Sequence, residues 1–305
     1  WTGDHSFAEN VTLAKNLTLP ATSGSTVGVI MQGGFPFIHT YDAEGGRTGT
    51  NLFIGQAAGN FTSTGYSNTA SGAHALSQNT TGYGNVANGE YALAANRTGS
   101  KNTASGAGAL SQSAFGSQNV ANGAYALSSN SFGSSNTGIG YSALTSNITG
   151  INNTANGAFA GYWGDNYSYS TAIGAFALYY GATYTTAIGY QAGYYCDGLY
   201  NSTAIGANAS ITASNQVHLG DTAVTSIGGQ VAFTTYSDRR FKRDIKEAVP
   251  GLAFITKLRP VTYWVDTDAL DDFLGVPEKG RSAQDDASRD DDLQTGFIAQ
   301  EVERA

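Results

Sequence analysis

The 305-residue sequence contains little of what most enzymes and nucleic-acid-binding proteins use. Its single cysteine, Cys196, excludes an intrachain disulfide framework and a cysteine-based zinc site. Only 12% of the residues are charged and the formal net charge is −8, whereas nucleic-acid binding needs clustered Lys and Arg. No apolar run of about 18 residues occurs, so the sequence predicts no transmembrane helix.

Residues for metal or hydrolytic chemistry are also scarce. The histidines His5, His39, His74 and His218 are isolated from one another in the sequence, so we predict no metal site. Asp and Glu are nearly absent from the middle of the chain, so the paired carboxylates of a glycan hydrolase are missing there. The sequence therefore predicts no cofactor and no enzyme that turns over repeatedly.

The charged residues that are present gather at one end of the chain. Residues 51–216 contain five charged side chains, whereas residues 237–305 contain 26. Such a break in composition marks a domain boundary, which we place between about Asp221 and Ser237. We predict a β-rich lead-in over 1–50, a repeat region over 51–221, a connecting strand and cleavage junction over 222–236, and a C-terminally incomplete domain over 237–305.

A 17-residue repeat fills the middle of the chain. Consecutive units from Asn68 read NTASGAHALSQNTTGYG, NVANGEYALAANRTGSK and NTASGAGALSQSAFGSQ. Gly stands at the fifth position and Ala at the eighth in every unit, and Leu stands at the ninth position in six units. Positions are numbered from the start of each unit, and coils 1 to 10 begin at residues 51, 68, 85, 102, 119, 136, 153, 170, 185 and 202, with coil 8 shortened by two residues.

A unit of this length suits one coil of a β-solenoid, which we expect to consist of two short strands and two turns. The unvarying Gly fits a turn with positive φ, or a place where neighbouring backbones lie too close for a Cβ. Stacked coils form parallel ladders about 4.8 Å apart, so ten coils predict a rod of roughly 50 Å. Because small interior side chains bury little apolar surface, we expect the rod to need partners, and three rods around an axis would cover one another.

These units resemble the head repeats of trimeric adhesins of the YadA type and, more closely, the NTAxGxxAL repeats of phage and cell-surface tail-fibre proteins. The stretch from Asn16 to Asp42 resembles the β-rich lead-in that precedes such repeats. The resemblance implies an all-β fold in which a left-handed parallel β-roll, or β-solenoid, forms a homotrimeric fibre.

The C-terminal segment carries a second resemblance. Its run SDRRFKRDI, from Ser237 to Ile245, is similar to the SDxRxKxxI signature of the intramolecular chaperone domain (peptidase family S74) of phage endosialidases, tailspikes and fibres, and of myelin regulatory factor. A second family element, GFIAQEVE, stands at 296–303. The resemblance implies a small α+β domain that assembles three chains and is then removed by cleavage. The residues that match the chaperone motif, besides those that would act in cleavage, are Asp238, Arg240, Ile245, Gly296, Gln300 and Glu301.

The resemblance also implies a cleavage reaction. Ser237 would attack the carbonyl of Tyr236 and cut the Tyr236–Ser237 bond of its own chain once, with Lys242 as the general base. A serine hydroxyl needs a base to become a good nucleophile, and a lysine serves only when desolvation lowers its pKa. Without the resemblance, the same residues fit a helix N-cap followed by a solvated cationic face. The two motifs together favour a single-turnover Ser-Lys autoprotease that acts in cis.

Glycosylation motifs recur within the repeat. Ten Asn-x-Ser/Thr sequons occur, and Asn79, Asn96 and Asn147 share the twelfth position of their coils. These three are candidate N-glycosylation sites that would place glycans in a line along one turn. Composition is the other explanation, because a chain so rich in Asn, Ser and Thr forms sequons by chance.

Aromatic residues gather late in the repeat region, where ten of the 18 Tyr lie between residues 162 and 200. One interpretation is a receptor or glycan platform, because aromatic side chains dominate binding hot spots. The other is that Tyr fills wider turns and stacks between coils. Cys196 lies in the same stretch and is predicted to be a free thiol. The candidate receptor-facing residues are Trp163, Tyr179, Tyr180, Tyr194 and Tyr195.

The sequence thus predicts a homotrimeric fibre that is extracellular, on a cell surface or on a virion, with a cell-surface glycan or receptor as candidate partner. It predicts neither nucleic-acid binding nor membrane insertion. Two alternatives stay open, a non-adhesive extracellular filament and an autotransporter-type adhesin, which would need a membrane anchor. Loss of cell binding on mutating the clustered tyrosines would distinguish an adhesin from a filament. A membrane-bound transcription factor is disfavoured, because no DNA-binding segment is recognisable.

Overall fold

The computed structural model describes residues 29–32, 34–41, 51–228, 243, 251–264, 266, 269 and 293–304. The chain divides into two compact units, Trp1–His218 and Leu219–Ala305. A β-solenoid of about ten coils dominates the described residues, and its strands form one 13-stranded sheet in which the spatial order follows the sequence. The strands are β1 (Ile30–Gln32), β2 (Phe35–His39), β3 (Leu52–Ile54), β4 (Thr69–Ser71), β5 (Val86–Asn88), β6 (Thr103–Ser105), β7 (Val120–Asn122), β8 (Thr137–Ile139), β9 (Thr154–Asn156), β10 (Thr171–Ile173), β11 (Thr186–Ile188), β12 (Thr203–Ile205) and β13 (Val217–Leu219).

The coils stack in register. From β3 to β12 each strand pairs in parallel with the next, so that Ala70 lies opposite Ala87 and Ala87 opposite Ala104. Before the first coil, β1 and β2 pair antiparallel with each other, and β2 pairs antiparallel with β3. The β-solenoid with coils of about 17 residues is therefore confirmed, while its handedness and the homotrimer stay predictions.

Each coil contains one three-residue strand, so the expected second strand was wrong. In coil 3 the backbone instead turns at Tyr91, Leu93 and Lys101, with φ of 56°, 51° and 59°, and most coils have left-handed residues at these positions, 7, 9 and 17. Such a residue cannot continue a strand, and its conformation costs about 1 kcal/mol. Three left-handed residues in a coil therefore leave room for only one regular strand.

Backbone hydrogen bonds to both neighbouring coils hold these left-handed residues in place. Leu93 N–H donates to Ala109 O in the next coil at 3.0 Å, and Tyr91 N–H donates to Ala73 O in the preceding coil at 2.9 Å. Lys101 N–H likewise donates backwards, to Tyr83 O, at 2.9 Å. Each coil is therefore stabilised mainly by its neighbours, as in other repeat proteins.

The glycine at position 5 meets both of the conditions expected from the sequence. Its φ lies between 119° and 145° in all ten coils. A Cβ built on Gly106 would lie 2.6 Å from the carbonyl carbon and oxygen of Gly123 in the next coil. This turn therefore excludes every other residue, both by conformation and by the closeness of stacking.

Small side chains fill the interior. Ala104, Ala109 and Leu110, at positions 3, 8 and 9 of coil 4, are fully buried, and the same positions are buried in most coils. In coil 7, where glycine replaces the leucine, Tyr167 occupies the interior, and its hydroxyl donates to Gly161 O at 2.6 Å. The interior volume is thus kept although the residue that fills it changes.

Cys196 lies in the interior as a free thiol, as predicted. Its thiol donates to Tyr180 O at 3.3 Å. Burial raises the pKa of Cys196 to about 12, which keeps it protonated at neutral pH and unreactive as a nucleophile.

A ladder of buried asparagines at position 1 closes coils 1 to 7. Asn102 Nδ2 donates to Gly116 O at 2.8 Å, which joins the beginning of coil 4 to its end. Asn102 Oδ1 accepts a hydrogen bond from Asn119 N–H of the next coil at 2.9 Å. The ladder consists of Asn51, Asn68, Asn85, Asn102, Asn119, Asn136 and Asn153.

A second, interrupted asparagine ladder runs along position 12. Asn96 Nδ2 donates to Asn79 Oδ1 at 2.8 Å, and Asn147 Nδ2 donates to Asn130 Oδ1 at 2.7 Å. Ser113 occupies this position in coil 4, between the two pairs. Its Oγ and Asn96 Oδ1 are buried and make no hydrogen bond to the described residues. The shorter serine side chain therefore breaks the ladder.

His39, at the end of β2, belongs to an aromatic cluster next to coil 1. It is 2% exposed, and its Nε2 lies 2.9 Å from Ala58 O. Its ring stacks on Phe61 at 4.3 Å and lies 5.0 Å from Phe53. Burial lowers the pKa of His39, and the hydrogen bond to Ala58 opposes this only in part.

The second unit contains helices and strands, as expected of an α+β domain. Val261 lies opposite Gly296 in its antiparallel sheet. Its described elements are α1 (Leu252–Ile255), β14 (Val261–Tyr263), β15 (Gln294–Gly296) and α2 (Ala299–Arg304).

We expect Gly106→Ala to lower the free energy of unfolding by about 3 kcal/mol or more, because the methyl group meets the Gly123 carbonyl and φ is unfavourable. Gly84→Ala is the control, since φ there is also positive, at 65°, but the nearest atom to the added Cβ is 3.7 Å away. It should lose only about 1 kcal/mol. Urea unfolding followed by circular dichroism measures both, and equal losses would contradict close stacking at position 5.

We expect Ser113→Asn to raise the free energy of unfolding by about 1 kcal/mol, because the amide can donate to Asn96 Oδ1 and accept from Asn130 Nδ2. The control is Ser105→Asn on the strand, where the neighbouring coils already carry Asn88 and Asn122. It adds no buried hydrogen bond and should leave stability unchanged. The same urea titration decides, and a Ser113→Asn variant no more stable than the control contradicts the ladder assignment.

Acidification should destabilise the N-terminal cluster. Because the pKa of His39 is lowered in the folded chain, the unfolded chain binds a proton below about pH 6.5 that the folded chain does not. The contribution of neutral His39 is therefore complete above that pH and is lost as the pH falls towards the lowered pKa. Melting temperatures between about pH 8 and 5 should fall on the acid side for the native chain and for His218→Phe, and much less for His39→Phe.

Candidate functional site

Part of the predicted chaperone motif lies on described elements of the second unit. Gly296 ends β15, and Gln300 and Glu301 lie in α2. The turn between them carries Phe297 and Ile298, which are 51% and 40% exposed. The second motif therefore forms a strand, a turn and a short helix.

Glu301 joins the two described parts of this unit. Arg259 Nη2 lies 2.6 Å from Glu301 Oε1, and Arg259 Nε lies 3.2 Å from Glu301 Oε2. The two-pronged hydrogen bond lowers the pKa of Glu301. The exposed pair thus links the chain that leads into β14 to α2, and such a surface contact adds little stability.

The predicted cleavage residues lie outside the described residues. Tyr236, Ser237 and Lys242 belong to this group, as do the motif residues Asp238, Arg240 and Ile245. The roles of these residues therefore stay predictions.

Large apolar side chains lie on the surface of the second unit. Ile255 is 60% exposed, Trp264 62% and Leu293 52%. Isolated exposed apolar residues are common on folded proteins, and these three side chains are open to solvent in the single chain.

The aromatic residues predicted to face a receptor lie together on coils 7, 8 and 9. Trp163 bridges in parallel to Tyr180, and Tyr180 to Tyr195. Trp163 is 50% exposed and Tyr195 65%. We call this surface the aromatic patch, and it consists of Tyr162, Trp163, Tyr179, Tyr180, Tyr194 and Tyr195.

Most ring faces of the aromatic patch are used in stacking between coils. Tyr179 stacks on Tyr162 at 5.2 Å and on Tyr194 at 4.8 Å, so both of its faces are covered. Tyr180 stacks on Tyr195 at 5.6 Å. Trp163 makes a T-shaped contact with Tyr162 at 5.4 Å and is in no parallel stack with a described ring. The interpretation as stacked ladders is supported. The least covered rings are those of Trp163, which is in no parallel stack with a described ring, and of Tyr195, which stacks on Tyr180 alone.

The three candidate glycosylation sites lie inside the rod. Asn79, Asn96 and Asn147 are at most 1% exposed. Each Nδ2, the atom that would carry the glycan, donates to a glycine carbonyl of its own coil at 2.9 to 3.1 Å. The expected line of surface glycans at these asparagines is therefore incompatible with the folded coils, because position 12 faces the interior.

Sequence reasoning missed two features. The position-1 asparagines were not singled out, although their identity in seven consecutive coils was visible. The partner of Glu301, Arg259, could not be found in the same way, since it stands 42 residues earlier and in no repeat.

The described residues contain neither a membrane-spanning helix nor a metal-binding cluster. None of their helices is long and apolar enough to cross a membrane. They also contain no group of three or more His, Cys, Asp or Glu side chains that could hold a metal ion.

The described residues thus form a β-solenoid in the first unit and short helices and strands in the second. Residues 237–305 match the family Peptidase_S74, the chaperone of endosialidase. The chain therefore carries a chaperone-of-endosialidase domain at its C-terminus, and together with the β-solenoid body this fits a phage-type tail fibre. No curated protein and no solved structure gave a significant match.

Proposed function

We propose that the chain is an extracellular or virion fibre that forms a homotrimer through its C-terminal chaperone domain, and that this domain then cuts itself off between Tyr236 and Ser237. The observation that carries the proposal is the match to the chaperone of endosialidase over 237–305, which begins at the proposed nucleophile. The rod that precedes it supplies the body of the fibre.

Self-association is supported by both units. The chaperone family is associated with trimerisation, and the second unit exposes Ile255, Trp264 and Leu293 in the single chain. On the rod, the outward position 4 carries Ile173 and Ile188, which are 40% and 39% exposed. Covering such surfaces with further copies of the chain gains apolar burial that a thin rod lacks.

The proposed cleavage is an acyl transfer followed by hydrolysis. Ser237 Oγ attacks the Tyr236 carbonyl carbon while its proton passes to a neutral Lys242 Nζ. The C–N bond then breaks, the Ser237 nitrogen takes up a proton, and an ester joins Tyr236 to Ser237 Oγ. Water hydrolyses the ester and releases the segment that begins at Ser237. The reaction runs once per chain, because it consumes its own substrate bond.

Removal of the chaperone domain after assembly has a physical rationale. Trimerisation has to bring the coils of three chains into register, and the formation of non-local β-structure is slow. Removing the assembly domain afterwards separates the folded fibre from the element that aligned it. The product is then held by its unfolding barrier, which is kinetic stability.

A receptor-binding role of the aromatic patch is the second part of the proposal. The exposure of Trp163 and Tyr195 supports it, because aromatic residues with one open face are typical anchors of binding sites. The stacked rings beneath them supply a rigid support at low entropic cost.

We expect the native chain to lose residues 237–305 and Ser237→Ala to stay at full length, as measured by intact mass. Ser226→Ala is the matched control and should cleave like the native chain. Lys242→Arg should block cleavage as well, because an arginine stays protonated. Full-length native chain under conditions in which native mass spectrometry shows a trimer would overturn self-cleavage, and a monomeric Ser237→Ala chain would overturn assembly through the chaperone.

A further inference from the structure

The aromatic patch lies beside a notch in the rod. Coil 8 is two residues shorter than its neighbours, and its bridges show where those residues are missing. Tyr180 bridges to Tyr195 and Thr183 bridges to Tyr200, so residues 181–182 stand where coil 9 has residues 196–199. The turn next to the patch is therefore shorter in coil 8 than in coil 9.

Each of the two longer turns carries one carboxylate. Asp165 follows Trp163 by two residues in coil 7, and Asp197 follows Tyr195 by two residues in coil 9. Both aspartates are exposed. Coils are stacked about 4.8 Å apart, so the two turns are separated by roughly 10 Å with the shorter turn between them. The open faces of Trp163 and Tyr195 are thus each followed by a negative charge.

No positive charge offsets these carboxylates on the described rod. The chain has neither Lys nor Arg from residue 102 to residue 238. The described basic side chains of the first unit, apart from histidines, are Arg97 and Lys101 in coil 3. They lie four coils before Asp165, roughly 19 Å along the rod, which is about two Debye lengths at physiological ionic strength.

The aromatic rings, the two carboxylates and the lack of a nearby cation together favour a positively charged ligand. An anionic sugar would meet two uncompensated carboxylates and no cation to pair with. A neutral sugar would gain stacking but nothing from the charges. A cationic group gains twice, because aromatic faces attract cations, tryptophan most strongly, and because the carboxylates add a direct Coulomb attraction.

We propose that the aromatic patch binds a saccharide that carries an ammonium group, with the cation on the face of Trp163 or Tyr195 and between Asp165 and Asp197. This rests on the receptor-binding role proposed above and names its ligand class. The tyrosine hydroxyls at the edge of the stacks offer hydrogen-bond partners to the sugar hydroxyls.

The test compares three oligosaccharides of different charge on the full chain. N,N,N-trimethylglucosamine oligomers carry a fixed positive charge, N-acetylglucosamine oligomers of the same length are neutral, and a sialylated oligosaccharide is anionic. Affinity is measured by isothermal titration calorimetry. Binding at the patch is confirmed by tryptophan emission in a Trp1→Phe/Trp264→Phe background, which leaves Trp163 as the only tryptophan.

We expect the cationic oligomer to bind at least about tenfold more tightly than the neutral one, and the anionic one not to bind. Asp165→Asn with Asp197→Asn should remove most of that difference, and added salt should reduce it. Glu90→Gln is the matched control, since Glu90 is an exposed carboxylate in coil 3. It should leave binding unchanged, and unchanged melting temperatures show that each variant is folded.

The remaining outcomes separate the two proposals. Equal binding of the cationic and neutral oligomers, lost in Trp163→Leu, overturns the ammonium selectivity and leaves the receptor surface standing. Preferential binding of the anionic oligomer overturns the selectivity in the same way. If no oligomer of any charge binds or changes the Trp163 emission, both the ligand class and the receptor role of the patch are overturned.

Discussion

Hydrogen bonding from coil to coil is the constraint on which the rest of the structure depends. A single coil has one three-residue strand, several left-handed residues and an interior made mostly of alanine, so it could not hold its shape alone. Neighbouring coils supply the partners for its backbone groups, and in coils 1 to 7 the asparagine ladder at position 1 ties the end of the coil to its beginning. Stability is therefore a property of the stack, and the glycine at position 5 permits the closeness that the stack requires.

The period of the sequence was sufficient to predict the solenoid. Gly106 and Ala109 recur at fixed spacing, and both the parallel register and the burial of the alanines follow from that recurrence. The second strand could not be predicted correctly, because a left-handed Leu93 looks in sequence like any other apolar core residue. The expectation of surface glycans failed for a related reason. Asn96 belongs to a buried ladder, and the sequon pattern carries no information about burial.

The functional regions differ in how directly sequence reveals them. The chaperone domain was recognisable from two short motifs, because each motif keeps particular residues at a fixed spacing. The aromatic patch was visible only as an enrichment in tyrosine. Which ring faces are open depends on stacking between residues 15 to 17 positions apart, and this requires the register of coils 7 to 9. The register of the coils is also needed to see that the shorter coil 8 lies between Asp165 and Asp197.

The antiparallel hairpin formed by β1 and β2 before the first coil affects whether rods can associate end to end. Arrays of stacked parallel strands are templates for open-ended growth, as in amyloid, wherever a strand presents unpaired backbone groups. Here β2 occupies the outer side of β3 with reversed direction, and β1 beyond it is only three residues long and carries a register irregularity. Another molecule's coil cannot continue the parallel ladder there without displacing the hairpin. At this end of the ladder the hairpin therefore blocks the addition of coils from another molecule.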